Sequence, residues 1–218
     1  MKRFLRKILF GITLQQEYLC VRANEFVKAL KVIAYDNSFK HKVDITSNLL
    51  FVGYKPLTLA VDSRYLNEIK VNRHENLHLS FYTQENKELA KLIVKLINQV
   101  NFNSVISLIF EGVKGLHSFS NNFHKLLNFI YYKTTGNRNK NIFLSGNPYD
   151  QVKIAYSIPR QIYLASVGLN GVYNIFPTDL SGHLDEEIFI MSLRCGGKAN
   201  DQVEKAGKCL IAKMDGDY

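Results

Sequence analysis

Two short segments near the end of the chain contain residues whose types and spacing could hold a ligand. The first, YNIFPTDLSG (173–182), places small polar residues and a proline directly after a strand-like run. Its exposed backbone N–H groups could lie against a flat ring. The second, SLRCGGK (192–198), places a hydroxyl and two cations around a Gly-Gly turn. Such a turn at the start of a helix, with cations beside it, favours an anion.

A flat ring that carries a phosphate would fit both segments, as in a nucleotide or FMN. A hairpin, a loop and an ordinary turn before a helix, with no ligand at all, explain the same residues equally well. The candidate binding residues are Asn174, Pro177, Thr178, Asp179 and Ser181 in the first segment, and Ser192, Arg194, Gly196, Gly197 and Lys198 in the second.

Local patterns predict the elements that would position these residues. Asn-Gly between two apolar runs is a strong hairpin signal, and Gly207 is expected to close a helix. The predicted order is a strand over 159–168, a hairpin turn at Asn170-Gly171, a strand over 172–176, a loop, a strand over 187–194, a helix over 198–207 and a strand over 208–214.

With the predicted elements in this order, residues 152–214 resemble the first half of a flavin reductase-like domain, the FMN-binding split barrel. IPRQIYLASVG matches the first strand of that family, and GKCLIAKM matches the strand after its helix. Asn174, Pro177 and Thr178 match the segment that approaches the flavin, and SLRCGGK matches the phosphate-binding turn. Two features depart from the family: GHLDEEIF replaces a Pro-Pro pair, and Lys198 or Asn200 replaces a threonine at the helix start.

The resemblance implies a flavoprotein oxidoreductase that binds FMN and transfers hydride between a nicotinamide nucleotide, NAD(P)H, and the flavin. The flavin performs that chemistry, so no catalytic residue is assigned. It also implies a homodimer. The remaining barrel strands of the family would follow Tyr218, so we expect either a chain that is incomplete at its C-terminus or a barrel that residues 1–150 complete in an unusual way. Two alternatives stay open: a non-enzymatic flavin-binding or scaffold protein, and a basic module that binds nucleic acid or a membrane surface.

Charge is distributed unevenly along the 218 residues, whose net charge is +9. Residues 1–150 carry 21 Lys and Arg against 11 Asp and Glu, a balance of +10, whereas residues 151–218 carry 7 against 8, a balance of −1. We therefore expect two regions, 1–148 and 149–218. The basic residues form no run and no known module, which argues against nucleic acid as the partner.

The first region matches no family and is predicted to have an α/β or α+β fold, so the whole chain is expected to be α+β with a partial split β-barrel at its end. The clearest predicted helix is 83–100, where apolar residues recur at helical spacing. The other predictions are helices over 63–71, capped by Ser63, and 119–133; strands over 48–61, 76–83 and 104–110; and a loop or linker over 134–150.

The sequence HENLH, from His74 to His78, matches the zinc-binding pattern H-E-x-x-H. That chemistry needs both histidines on one face of a helix, but the residues after Asn76 alternate like a strand. We therefore predict no metal site here. Three scattered cysteines indicate reduced thiols in the cytoplasm. No apolar run reaches the roughly 18 residues of a transmembrane helix.

Overall fold

The computed structural model describes residues 30–102, 105–118, 123, 126, 130, 144, 146–157 and 160–213. Its first part is a seven-stranded antiparallel sheet with the order β2-β1-β5-β6-β7-β4-β3. The strands are β1 (Lys31–Tyr35), β2 (Lys42–Asp44), β3 (Leu50–Tyr54), β4 (Leu57–Asp62), β5 (Asn76–Tyr82), β6 (Glu88–Phe102) and β7 (Val105–His117). The strands predicted over 48–61, 76–83 and 104–110 are confirmed, the first as two short strands.

One face of this sheet forms the hydrophobic core, because along β5 and the first part of β6 buried apolar side chains alternate with polar or partly exposed ones. Lysines and tyrosines occupy much of the opposite, outer face of β1, β5 and β6. The core residues include Val32 and Ala34 on β1, Leu77, Leu79 and Phe81 on β5, and Leu92, Val94 and Leu96 on β6.

The helix predicted over 83–100 is wrong, because most of this segment is strand β6. Leu92 and Leu96 are four residues apart, and that spacing fits one face of a helix and one face of a strand alike. Ala90 and Val94 distinguish the strand from the helix, since both are buried on the same face as the two leucines. Residues two apart share a face in a strand but not in a helix. Pairing with β5 and β7 on either side outweighs local helix propensity.

The helix predicted over 63–71 is also wrong in length and in its cap. A single 3-10 turn covers Ser63–Leu66. Its cap is Asp62, whose Oδ1 accepts a hydrogen bond of 2.9 Å from the backbone N–H of Arg64. Asp62 is fully buried at the end of β4, so the carboxylate fixes the direction in which the chain leaves the sheet.

Helix α1 (Asn147–Ser157) packs against β7, so the loop predicted over 134–150 is wrong at its end. The Asn147 amide accepts from Gly115 N–H at 2.8 Å and donates to Gly115 O at 2.9 Å. In the helix predicted over 119–133, Phe123, Leu126 and Ile130 are helical; the other residues lie outside the described part, as do 134–143. The boundary at 148/149 stays a prediction.

The last part of the chain contains two small antiparallel sheets and one helix. It follows the predicted order of elements, except that the loop predicted between the second and third strands contains a short strand at Ser181–His183. Strands β8 (Tyr163–Leu169), β9 (Val172–Thr178) and β12 (Leu210–Lys213) form one sheet, with β8 in the centre. Strands β10 (Ser181–His183) and β11 (Phe189–Met191) form the other, and α2 spans Lys198–Ala206.

The three turn residues singled out by the sequence take the expected backbone conformations. Asn170 and Gly171 have φ values of 52° and 75° and join β8 to β9. Gly207 has φ 64°, and its N–H donates to Val203 O at the end of α2.

The described part of the chain is therefore mostly antiparallel β-structure, and its sheets do not close into a barrel. Among these residues, no helix is long and apolar enough to cross a membrane.

Candidate functional site

Strand β9 divides the first candidate segment between two faces of its sheet. Asn174 and Thr178 pair with Val167 and Tyr163, which are buried positions of β8. Pro177 is an odd number of residues from both, so it belongs to the opposite face, and it is exposed. The strand therefore brings Asn174 and Thr178 to one side and leaves Pro177 on the other.

Asn174 is tied to the helix that follows the second segment. Its Nδ2 donates a hydrogen bond of 2.9 Å to Gln202 Oε1 on α2. Gln202 is 8% exposed and lies on the same helix face as Ala199 and Ala206, which are three residues before it and four residues after it. This apolar spacing, interrupted by one glutamine, is the signal that could have identified Gln202.

Asp179 has a partner within the fold. Arg160 Nη2 lies 2.6 Å from Asp179 Oδ2, and the same guanidinium lies 4.2 Å from the ring centroid of Tyr156. The carboxylate therefore anchors the arginine that precedes β8. Arg160 is not among the candidate binding residues predicted from the sequence, although it is part of the IPRQIYLASVG segment.

The two candidate segments run beside each other at β10 and β11. Ser181 pairs with Met191 in this small sheet, and the Ser192 N–H donates to Leu180 O at 3.0 Å. Ser181 is buried, and its Oγ has no hydrogen-bond partner among the residues that the structure describes. Buried hydroxyls are normally paired, so this oxygen is available to a further polar group.

The turn before α2 has the backbone geometry that its glycines permit. Gly196 has φ 67°, and the Gly197 N–H donates to Arg194 O at 2.9 Å. A Cβ on Gly197 would lie 2.9 Å from that same carbonyl oxygen, so a larger residue would strain the turn. Arg194 and Lys198 flank the two glycines, and both are exposed.

The N-terminus of α2 presents backbone donors next to these cations. Gly197 is the N-cap and provides no side-chain hydrogen bond. The first intrahelical bond comes from Asp201 N–H to Gly197 O at 3.1 Å. The N–H groups of the first three helical residues therefore have no acceptor within the helix. Two side-chain cations and these donors could together bind an anion.

An aromatic cluster connects the two small sheets behind the site. The Tyr163 ring lies 4.9 Å from Phe189 and 6.0 Å from His183, centroid to centroid, in edge-on arrangements. Burial raises the pKa of the Tyr163 hydroxyl. The cluster positions β10 and β11 relative to β8, and with them Ser181 and Ser192.

The HENLH segment has no helix on which to bind zinc. His74 lies in a turn, whereas His78 lies within β5. The His78 ring packs 4.6 Å from the Phe39 ring, and burial followed by the charge of Lys91 lowers its pKa. No group of three or more His, Cys, Asp or Glu residues in the described ranges could hold a metal ion.

No protein-family profile matches the chain, and no curated protein matches it. Among solved structures, the chain is similar to the styrene monooxygenase flavin reductase (SMOB) from Pseudomonas putida S12, with a TM-score of 0.33 and 9% sequence identity. The alignment covers 46% of this chain and 86% of that one. A likeness at this level carries no argument about fold or function.

Proposed function

We propose that this chain binds FMN between the β9–β10 segment and the N-terminus of α2, and that it transfers hydride between a nicotinamide nucleotide and the flavin. The observation that carries the proposal is the hydrogen bond from Ser192 N–H to Leu180 O at 3.0 Å. This contact joins the segment that resembles a flavin-binding loop to the segment that resembles its phosphate-binding turn.

Arg194 and Lys198 would hold the phosphate of FMN. Both side chains are exposed on either side of the Gly196-Gly197 turn, and charge-assisted hydrogen bonds are the stronger class. The unpaired N–H groups of α2 would donate to the same phosphate oxygens. Riboflavin lacks the phosphate, so it would gain nothing from this turn.

Two buried polar atoms on the other side of the site support a polar ligand. Ser181 Oγ and Arg160 Nη1 are both buried and find no hydrogen-bond partner within the described ranges of the chain. Leaving such groups unpaired costs about 1–3 kcal/mol each, and the carbonyl and ring-nitrogen acceptors of a flavin could satisfy them. The flavin would supply the redox chemistry, while these residues would bind and orient it.

We further propose that the flavin-binding form is a homodimer, as the family resemblance implies. Leu210 and Ile175 both pair with Ser166 across the last three-stranded sheet, and they are 77% and 67% exposed. Tyr173, two residues from Ile175 and on the same face, is 79% exposed. A second copy covering this face would bury all three side chains. Light scattering tests the proposal, because Ile175→Lys should then leave a monomer.

Flavin titration tests the main proposal. Purified protein should quench FMN fluorescence saturably, and anaerobic NADH or NADPH should then bleach the flavin absorbance faster than in protein-free solution. Binding without reduction would instead favour a non-enzymatic flavin-binding protein. Absence of saturable FMN binding would overturn the proposal.

A further inference from the structure

A cleft of about 310 Å³ lies at one end of the first sheet, far along the chain from the proposed flavin site. It lies where β1 pairs with the edge strand β2 on one side and with β5 on the other. Its lining includes Lys31, Ile33 and Tyr35 from β1, Lys42 from β2 and Tyr82 from β5. This volume is at the lower end of the range for small-molecule sites.

The two tyrosines approach each other across the outer face of the sheet. In the register of β1 and β5, Tyr35 and Tyr82 lie on either side of the pair formed by Ile33 and Ser80. Their hydroxyl oxygens are 3.2 Å apart, and both residues of the pair between them are buried. The two rings therefore lean together over the sheet and are held there by their own hydrogen bond.

This tyrosine pair retains one hydroxyl proton for a ligand. Two hydroxyls carry two protons, and the bond between Tyr35 and Tyr82 uses only one of them. The hydrogen bond between Tyr35 and Tyr82, followed by burial, raises the pKa of Tyr35 to about 12. Tyr35 therefore stays protonated at neutral pH, and the pair can donate outward to an acceptor.

Lys31 and Lys42 make no ion pair with any described residue. The carboxylate that shares the cleft, Asp44, already has a structural role: its Oδ1 accepts from the backbone N–H of Thr46 at 3.0 Å and from the Thr46 hydroxyl. The Thr46 hydroxyl oxygen in turn accepts from Val32 N–H at 2.9 Å. The described part of the fold thus accounts for the carboxylate, whereas it gives no partner to the two ammonium groups.

We propose that this cleft binds the phosphate of a small phosphate monoester, with Lys31 and Lys42 as the charged donors and the Tyr35–Tyr82 pair as the neutral donor. The aliphatic Ile33 side chain and the two phenol rings would contact the organic part of the ligand. Asp44 reduces the charge of the lining to one net positive charge, so a compact anion fits better than an extended polyanion.

Isothermal titration calorimetry with glycerol 3-phosphate tests this proposal. The protein should bind the probe saturably and should not bind glycerol. Losing one charge-assisted contact weakens binding by about tenfold or more, so K31A/K42A should lose at least that factor. Tyr82→Phe removes the outward proton or the bond that positions it, and should weaken binding by a few-fold to about tenfold.

Two variants serve as controls. Lys70→Ala removes an exposed lysine that does not line the cleft, so it should leave the affinity unchanged. R194A/K198A removes the cations of the proposed flavin site, and glycerol 3-phosphate binding should persist in this variant. Loss of binding in either control, equal affinity for glycerol, or absence of binding in the unaltered protein would overturn the proposal. Failure of FMN binding would not affect it.

Discussion

Asn174 Nδ2 lies 2.9 Å from Gln202 Oε1, so a side-chain amide of β9 is joined to a side-chain amide of α2. Asn174 belongs to the segment that resembles a flavin-binding loop. Gln202 lies one helical turn after Lys198, the last residue of the proposed phosphate site. The bond therefore holds the helix against the sheet and sets the distance between the two parts of the proposed site.

We expect Asn174→Ala and Gln202→Ala each to lower the free energy of unfolding by about 0.5–1.5 kcal/mol, since each removes one partly buried hydrogen bond. In a double-mutant cycle the two losses should not add. Urea denaturation measures both quantities. The control is Asn200→Ala, which breaks only an exposed bond to Glu204 within the same helix and should change stability little. Additive losses would mean that the two amides do not interact.

Gly115 should tolerate a methyl group less well than Gly182. A Cβ at Gly115 would lie 2.9 Å from the Cα of Gln151, in the backbone of α1. A Cβ at Gly182 would meet only the movable end of the Leu50 side chain. We therefore expect Gly115→Ala to cost about 1–3 kcal/mol, in the range of overpacking, and Gly182→Ala to cost less. Thermal or urea unfolding of the two variants gives the comparison, and the opposite order would contradict the packing of α1 on β7.

Part of the fold could be predicted from local sequence, because its signals involve neighbouring residues. The Asn170-Gly171 turn and the closure of α2 by Gly207 both depend on backbone conformations that few residue types adopt. Strand β6 could not be predicted in this way. Lys91 and Lys95, like Leu92 and Leu96, are four residues apart, a spacing common to one helix face and one strand face. Only pairing with β5 and β7 reveals which applies.

In the candidate site, too, features set by neighbouring residues could be predicted from the sequence, whereas features set by distant contacts could not. The sequence predicted the Gly196-Gly197 turn. The hairpin of β8 and β9 and the helix α2 also lie where the sequence predicted them. The bond between Arg160 and Asp179 depends on how the chain enters β8, and no local pattern encodes it. The Tyr35–Tyr82 pair depends on the register of two strands that are 47 residues apart in sequence, so single-sequence reasoning had no signal for it.

Alkaline pH should destabilise the fold through Tyr35. Its pKa is raised to about 12, above the value of about 10 for tyrosine in an unfolded chain. The stabilisation linked to this shift is therefore fully present below pH of about 10 and is lost as pH rises toward about 12. Subtracting the tyrosinate absorbance titration of Tyr35→Phe from that of the unaltered protein isolates this group. Tyr82→Phe should shift the isolated titration to lower pH, and an unchanged midpoint would contradict the pair.

The central claim is that the turn between Arg194 and Lys198 binds the phosphate of FMN, and the most direct test compares FMN with riboflavin in matched variants. Arg194→Ala and Lys198→Ala should each remove a contact worth on the order of 1.5–3 kcal/mol, which weakens FMN binding roughly ten- to a hundredfold. Lys205→Ala, an exposed lysine in the last turn of the same helix, should leave it unchanged. Riboflavin affinity, measured by the same fluorescence titration, should be nearly equal in all four proteins. Equal affinity of the unaltered protein for FMN and riboflavin, or a parallel loss of both ligands in the two variants, would contradict the claim.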